Sequence, residues 1–157
     1  MEHERDDRDV AAGLPDVAAG PPDVPGAGDD PATLPGGGVY DWYIRGLQLL
    51  GGGNPAAAVQ LLSHAAAAEP ASRSVREALA RAQFDAGHFA DARDSFDWII
   101  RADPADDYAQ FGLGLAASRM ADYRSAVEHL ALAAAMRPDI AHYGVALRGA
   151  RAAMARQ

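Results

Sequence analysis

The side chains able to do chemistry are few in this 157-residue chain, and their spacing works against catalysis. Five histidines (His3, His64, His88, His129, His142) lie scattered, without the close pairing that a zinc site needs. There is no cysteine, which removes disulfides, thiolate metal sites and a thiol nucleophile. There is no lysine either, so a phosphate-cradling loop would lack its cation, and Gly112-Leu113-Gly114 falls inside a helical stretch, where it reads as helix packing. Beside abundant Ala, Arg and Gly, the missing lysine reads as the codon usage of a GC-rich bacterial genome. No serine sits in a Gly-x-Ser-x-Gly elbow. Asp91, Asp94 and Asp97 step along one helical stretch and read as a solvated face rather than an acid/base pair. The expectation is a protein that is not an enzyme, with no catalytic residue, no metal and no cofactor.

Charge narrows the partners. Residues 1–38 hold nine acidic side chains against Arg5 and Arg8, and so carry −7 of the formal −8. The remainder, with 13 acidic and 12 basic groups, is close to neutral. A near-neutral body without a basic stripe argues against nucleic acid, where neutralising phosphates supplies most of the affinity. The acidic N-terminus has no apolar core of the secretory kind. Every Ala-rich run is broken before 18 residues, by Gln60, His64 or Arg137, so no membrane span is expected and the default location is cytoplasmic.

What elements would position a site? Residues 1–38 lack hydrophobic periodicity and are rich in Pro, Gly, Asp and Ala, a composition that buries too little apolar area to offset the ordering entropy. They read as a disordered acidic tail. From residue 39 onward a 34-residue period appears. Pro70, Pro104 and Pro138 keep it, as do Ala58, Ala92 and Ala126, then Leu62, Phe96 and Leu130, and the small residues Gly46, Ala80 and Gly114. Gly53, Gly87 and Ala121 mark one shared turn, with Pro55, Phe89 and Tyr123 just beyond. Apolar spacing of three and four residues makes each unit two antiparallel helices, A then B, at 40–50 and 55–68, 73–86 and 89–102, and 107–120 and 123–136. A seventh helix over about 139–155 would start with Asp139 as its N-cap.

These registers resemble the tetratricopeptide repeat. The likeness covers residues 39–138 and a terminal cap, giving repeats 39–72, 73–106 and 107–140 and a capping helix within a 39–157 domain. The family's large residue early in helix A is met by Trp42 alone, with Arg76 and Gln110 elsewhere; its leucine–small pair by Leu79-Ala80 and Leu113-Gly114, with Arg45-Gly46 departing; its helix-B alanine by Ala58, Ala92 and Ala126. Its later small or aliphatic position is Ala65, Ile99 and Ala133. The resemblance implies an all-α solenoid of stacked helix pairs. Small residues at the A–B contact would let the helices close, with Trp42, Phe96 and Leu130 filling the gap. The cap would turn Tyr143 and Leu147 inward and Arg148, Arg151 and Arg156 outward. Gly51-Gly52-Gly53 would end the first A helix early, so residues 39–54 should fray first.

The family uses the concave side, lined by A helices, to hold extended peptides. Carried over, that groove takes Tyr40, Tyr43, Leu47 and Leu50 from the first unit and Glu77, Arg81 and Phe84 from the second, beside Ser74 and Asp85. The third unit gives Tyr108, Phe111, Leu115 and Arg119, beside Ser118, and the cap gives His142 and Val145. Tyr40, Tyr43, Tyr108 and Phe111 read as large rings that A–B packing does not require, the mark of a partner site, or else as fillers between neighbouring A helices. Glu77 and Arg81 are spaced as an intrahelical pair, and Arg119 and His142 read as solvated side chains or as receivers of a ligand carboxylate. Chaperone adaptors of the family clamp a C-terminal carboxylate with Lys, Asn and Arg; here those positions are Tyr43, Leu47, Ala78, Tyr108 and Gly112, which cannot do so.

The function expected is a protein-binding adaptor for an apolar or aromatic-containing segment of another protein, extended or helical. The alternative is a self-associating structural or assembly subunit, a homodimer for instance, using convex or terminal helix surfaces. The tail reads as a solubilising segment without contacts. A coil of 38 residues nevertheless spans roughly 35 Å, so a motif around Leu14, Val17, Val24 or Leu34 could reach the groove and gate it.

Overall fold

The computed structural model describes Gly13, Leu14 and residues 37–157. Among them the chain forms α-helices and no strand: α1 (Val39–Gly51), α2 (Pro55–Ala68), α3 (Arg73–Asp85), α4 (Phe89–Ala102), α5 (Asp107–Arg119), α6 (Tyr123–Met136) and α7 (Ala141–Ala155). The disorder expected of residues 1–38, and the motifs at Val17, Val24 and Leu34, lie outside the described residues except at Gly13, Leu14, Gly37 and Gly38.

The 34-residue period is written into the helix ends. Glu69, Asp103 and Arg137 close α2, α4 and α6 at φ −128°, −145° and −133°, because the proline that follows each one disfavours helical geometry before it. Each A-to-B turn takes one residue with positive φ, Gly53 at 81°, Gly87 at 82° and Ala121 at 60°. Two backbone hydrogen bonds then close the turn, as in His88 N–H to Gln83 O at 2.8 Å and Gly87 N–H to Phe84 O at 3.0 Å. Ser72 and Asp106 cap α3 and α5 by accepting from the N–H groups of Val75 and Ala109, at 3.3 and 3.0 Å.

Two expectations are corrected here. Asp139 is not an N-cap: α7 begins after Ile140, which makes no side-chain cap, and Asp139 accepts hydrogen bonds from the Arg137 guanidinium at 3.0 and 2.8 Å instead. A neighbouring cation two residues back outcompetes a backbone N–H. Nor does the triple glycine shorten the first A helix, since α1, α3 and α5 are each 13 residues long. Gly51 stays helical, Gly52 caps, and only Gly53 needs positive φ.

Close approach sets the packing. A Cβ on Gly46 would lie 2.5 Å from Leu62, and one on Gly114 2.7 Å from Leu130, so these glycines admit the B-helix leucines. Gly112 does the same for the Phe96 ring of the preceding unit, at 2.4 Å. Phe96, Leu62, Ile99 and Leu130 are the largest side chains fully sealed from water. One apolar cluster joins α1, α2 and α3 around Trp42, Leu62 and Leu79; a larger one runs from Ala80 and Phe84 through α4–α7. The last helix covers the end of the stack with Tyr143, Leu147 and Ala150 buried, while Arg148, Arg151 and Arg156 face solvent.

Candidate peptide-binding groove

Helix α1 touches α3, α3 touches α5 and α5 touches α7, whereas α2, α4 and α6 make no contact with one another. The array therefore closes along its A helices and opens along its B helices, and the A helices form the inner wall.

The structure divides the twelve expected groove residues. Tyr40 is 42% exposed, Arg119 and His142 are exposed, and Leu47, Glu77, Arg81 and Leu115 are half-buried. Leu50, Phe84, Tyr43, Tyr108 and Phe111 are buried. The last three correct the expectation of rings without a mate inside the chain. Phe111, only 3% exposed, stacks on Tyr143 with centroids 4.5 Å apart and meets His142 edge-on at 5.3 Å. Tyr108 stands edge-on to Phe96 at 6.1 Å, and Tyr43 belongs to the cluster that joins α1 to Ala78 and Ala82 of α3. The physical reason is circumference. An inner helix meets its own B helix, the preceding B helix and an A helix on either side, so α5 is buried at every position from Tyr108 to Gly114. Little of such a helix is left for a ligand.

What remains open is a polar row over an apolar floor. Burial pushes the Glu77 carboxyl above its usual range, aided by Asp106 and opposed by Arg81 and Arg73. Burial likewise raises the Tyr43 and Tyr108 phenols, with Glu77 adding to both and Arg81 working against it. Two devices hold this wall in place. Asp106 caps α5 and binds the Arg73 guanidinium of α3, and Tyr143 donates to Asp107 Oδ2 at 2.8 Å, fastening α7 to α5.

At the C-terminal ends of α1, α3 and α5 the wall opens into a hollow of about 290 Å³ lined by Leu50, Phe84, Asp85, Phe89 and Arg119. Phe84 and Phe89 meet edge-on at 5.2 Å, and the Arg119 guanidinium lies over both rings, 5.5 and 5.7 Å from their centroids. Phe89 is the member that the sequence pattern did not assign; its place just after the Gly87 turn, in register with Pro55 and Tyr123, was the available signal. The tail read as free of contacts is also corrected here. Leu14 is 6% exposed and donates its N–H to Asp85 Oδ1 at 3.2 Å.

Chemically, the wall offers hydrogen-bonding groups and aromatic surface. Among the described residues no three His, Asp or Glu side chains gather to hold a metal, and no helix is long and apolar enough to cross a membrane.

The profile of the tetratricopeptide repeat family matches residues 49–118. The first TPR domain of Spaghetti (RPAP3), solved with the HSP90 peptide SRMEEVD, superposes with a TM-score of 0.69 at 17% identity, over 74% of this chain and 93% of that one. Residues 49–118 are thus tetratricopeptide repeats. The Sgt2 TPR domain from Aspergillus fumigatus gives 0.67 at 20% identity, over 74% of this chain and 78% of the other. MamA of AMB-1 gives 0.67 at 19%, over 76% and 65%. At these identities the solved structures establish the shared fold of helix pairs. No curated protein matches in sequence.

Proposed function

We propose that this tetratricopeptide-repeat chain is a non-enzymatic cytoplasmic adaptor that holds a segment of another protein along its inner wall. The observation that carries this reading is the inner wall of A helices, along which Leu47, Glu77, Arg81 and Leu115 stay partly open between the exposed Tyr40, Arg119 and His142. The accessible contacts are Tyr40, Leu47, Leu115, Arg119 and His142, with Glu77 and Arg81 between them. Tyr43, Tyr108 and Phe111 lie beneath this row, packed between neighbouring helices, and hold its backbone in place.

The HSP90 peptide held by the RPAP3 domain does not fix this chain's ligand. Among the positions that would clamp a C-terminal carboxylate, Ala78 is buried, and Phe96 fills the space a side chain at Gly112 would take. An internal or apolar segment suits the wall better.

A self-associating subunit is the second reading, favoured by the exposed Leu132, Val145 and Met154 on α6 and α7. Sedimentation over a wide concentration range separates the two, because the adaptor reading expects a monomer throughout. For the adaptor itself, affinity capture from the native cell should lose a partner in Leu47→Asp and in Arg119→Ala, with helicity unchanged. Arg151→Glu on the outer face of α7 should keep it. A partner list common to all three variants would remove the groove assignment.

A further inference from the structure

Leu14 is separated from the next helix in sequence by residues 15–38, yet it is buried, 6% exposed, in the larger apolar cluster with Phe84, against which Phe89 also packs. Its backbone N–H reaches Asp85, 71 positions away. Gly13 before it has φ +72°, and a Cβ there would stand 3.1 Å from both Asp85 carboxylate oxygens. The positive φ favours glycine at this position, and a Cβ would also crowd the Asp85 carboxylate. Gly13 also lines the hollow between the ends of α1, α3 and α5, beside the Phe84–Phe89 pair that Arg119 covers.

We propose that Gly13–Leu14 is a built-in ligand of the inner wall, and that the segment which displaces it carries the same glycine–leucine pair. Each part of the contact reads one feature of such a segment. Asp85 accepts the leucine N–H, the positive φ and the nearby carboxylate favour glycine ahead of it, and the aromatic floor takes the aliphatic side chain. Burial raises the Asp85 carboxyl above its usual range, and the Leu14 N–H and the Arg81 charge offset part of that effect. Any partner must then compete with a tethered copy. Tethering supplies an effective concentration on the order of mM, so a pair that binds in trans at about 0.1 mM is about tenfold closed against outsiders. The inference rests on the adaptor reading only for the outside partner; the docking of Leu14 stands on its own.

The test uses the full chain and a synthetic peptide of residues 11–17. In NMR spectra, Leu14→Asp should shift the signals of Phe84, Asp85, Phe89 and Arg119. Added peptide should move them back toward their wild-type positions, binding the variant at least fivefold more tightly than it binds wild type. The same peptide with alanine at its glycine should fail. A Leu14→Asp spectrum that superposes on wild type, or peptide binding equal in the two proteins, would overturn the proposal. So would wild-type signals that move to the variant's positions on dilution, because the segment would then belong to a second copy. Since the peptide is the chain's own, none of these outcomes bears on whether the groove captures another protein.

Discussion

Single side chains decide how closely this solenoid packs and what it can hold. Phe96 is fully sealed against Gly112, so it cannot yield to an added methyl. Gly112→Ala should lose about 1–3 kcal/mol to overpacking, more than the roughly 1 kcal/mol that alanine gains in helix propensity, and urea unfolding should show a net loss. Gly149, where a Cβ would meet nothing, is the control, and Gly149→Ala should gain about 1 kcal/mol. Glu77 gives a pH signature. Its folded pKa lies above the ordinary 4.5, so it binds more protons folded than unfolded. Stability from this group is therefore full below pH 4.5 and falls as pH rises through the folded value. Glu77→Gln should unfold at higher denaturant than wild type at pH 7, with the gap closing toward pH 4; a gap that widens on acidification would contradict the burial of the carboxyl. The small residues at the A–B contact were legible because they repeat. The fate of Tyr43, Tyr108 and Phe111 was not, because their mates stand on neighbouring helices that a linear pattern cannot rank.

Helices in this chain are bounded by local chemistry, and the boundaries are where sequence and structure agree best. Prolines after α2, α4 and α6, and the positive-φ positions at Gly53, Gly87 and Ala121, recur in one register and need no tertiary information. Ala121 is the odd member, an L-residue at φ 60° where the other turns use glycine. Left-handed geometry costs such a residue about 1–2 kcal/mol, partly offset by the entropy that glycine would lose, so Ala121→Gly should raise stability by up to about 1 kcal/mol in equilibrium unfolding. Gly87→Ala should lower it. Asp139 shows the limit of local reading, since a capping residue type was present but Arg137 claimed it. At the other end α1 has no side-chain cap and, among the described helices, rests on α2 and α3. Amide hydrogen exchange should find residues 39–54 the first to open; slower exchange there than in α5 would contradict this.

As a whole molecule, the chain is an inner wall of A helices braced by B helices and closed by α7. That architecture follows from the period, and the Asp106–Arg73 and Tyr143–Asp107 ties keep successive units in one curve. The docking of Gly13–Leu14 could not be located from composition, because composition does not single out Leu14 among the tail's aliphatics and its partner Asp85 lies far off in sequence. Under the adaptor reading an extended segment lies along this wall. A photo-crosslinking residue placed at Leu47 or Leu115, compared with one at the exposed Gln60 on α2, tests this most directly in the native cell. Adducts to another polypeptide from the two inner positions and none from Gln60 are the predicted result. Adducts from Gln60 alone would show that the partner sits on the outer face.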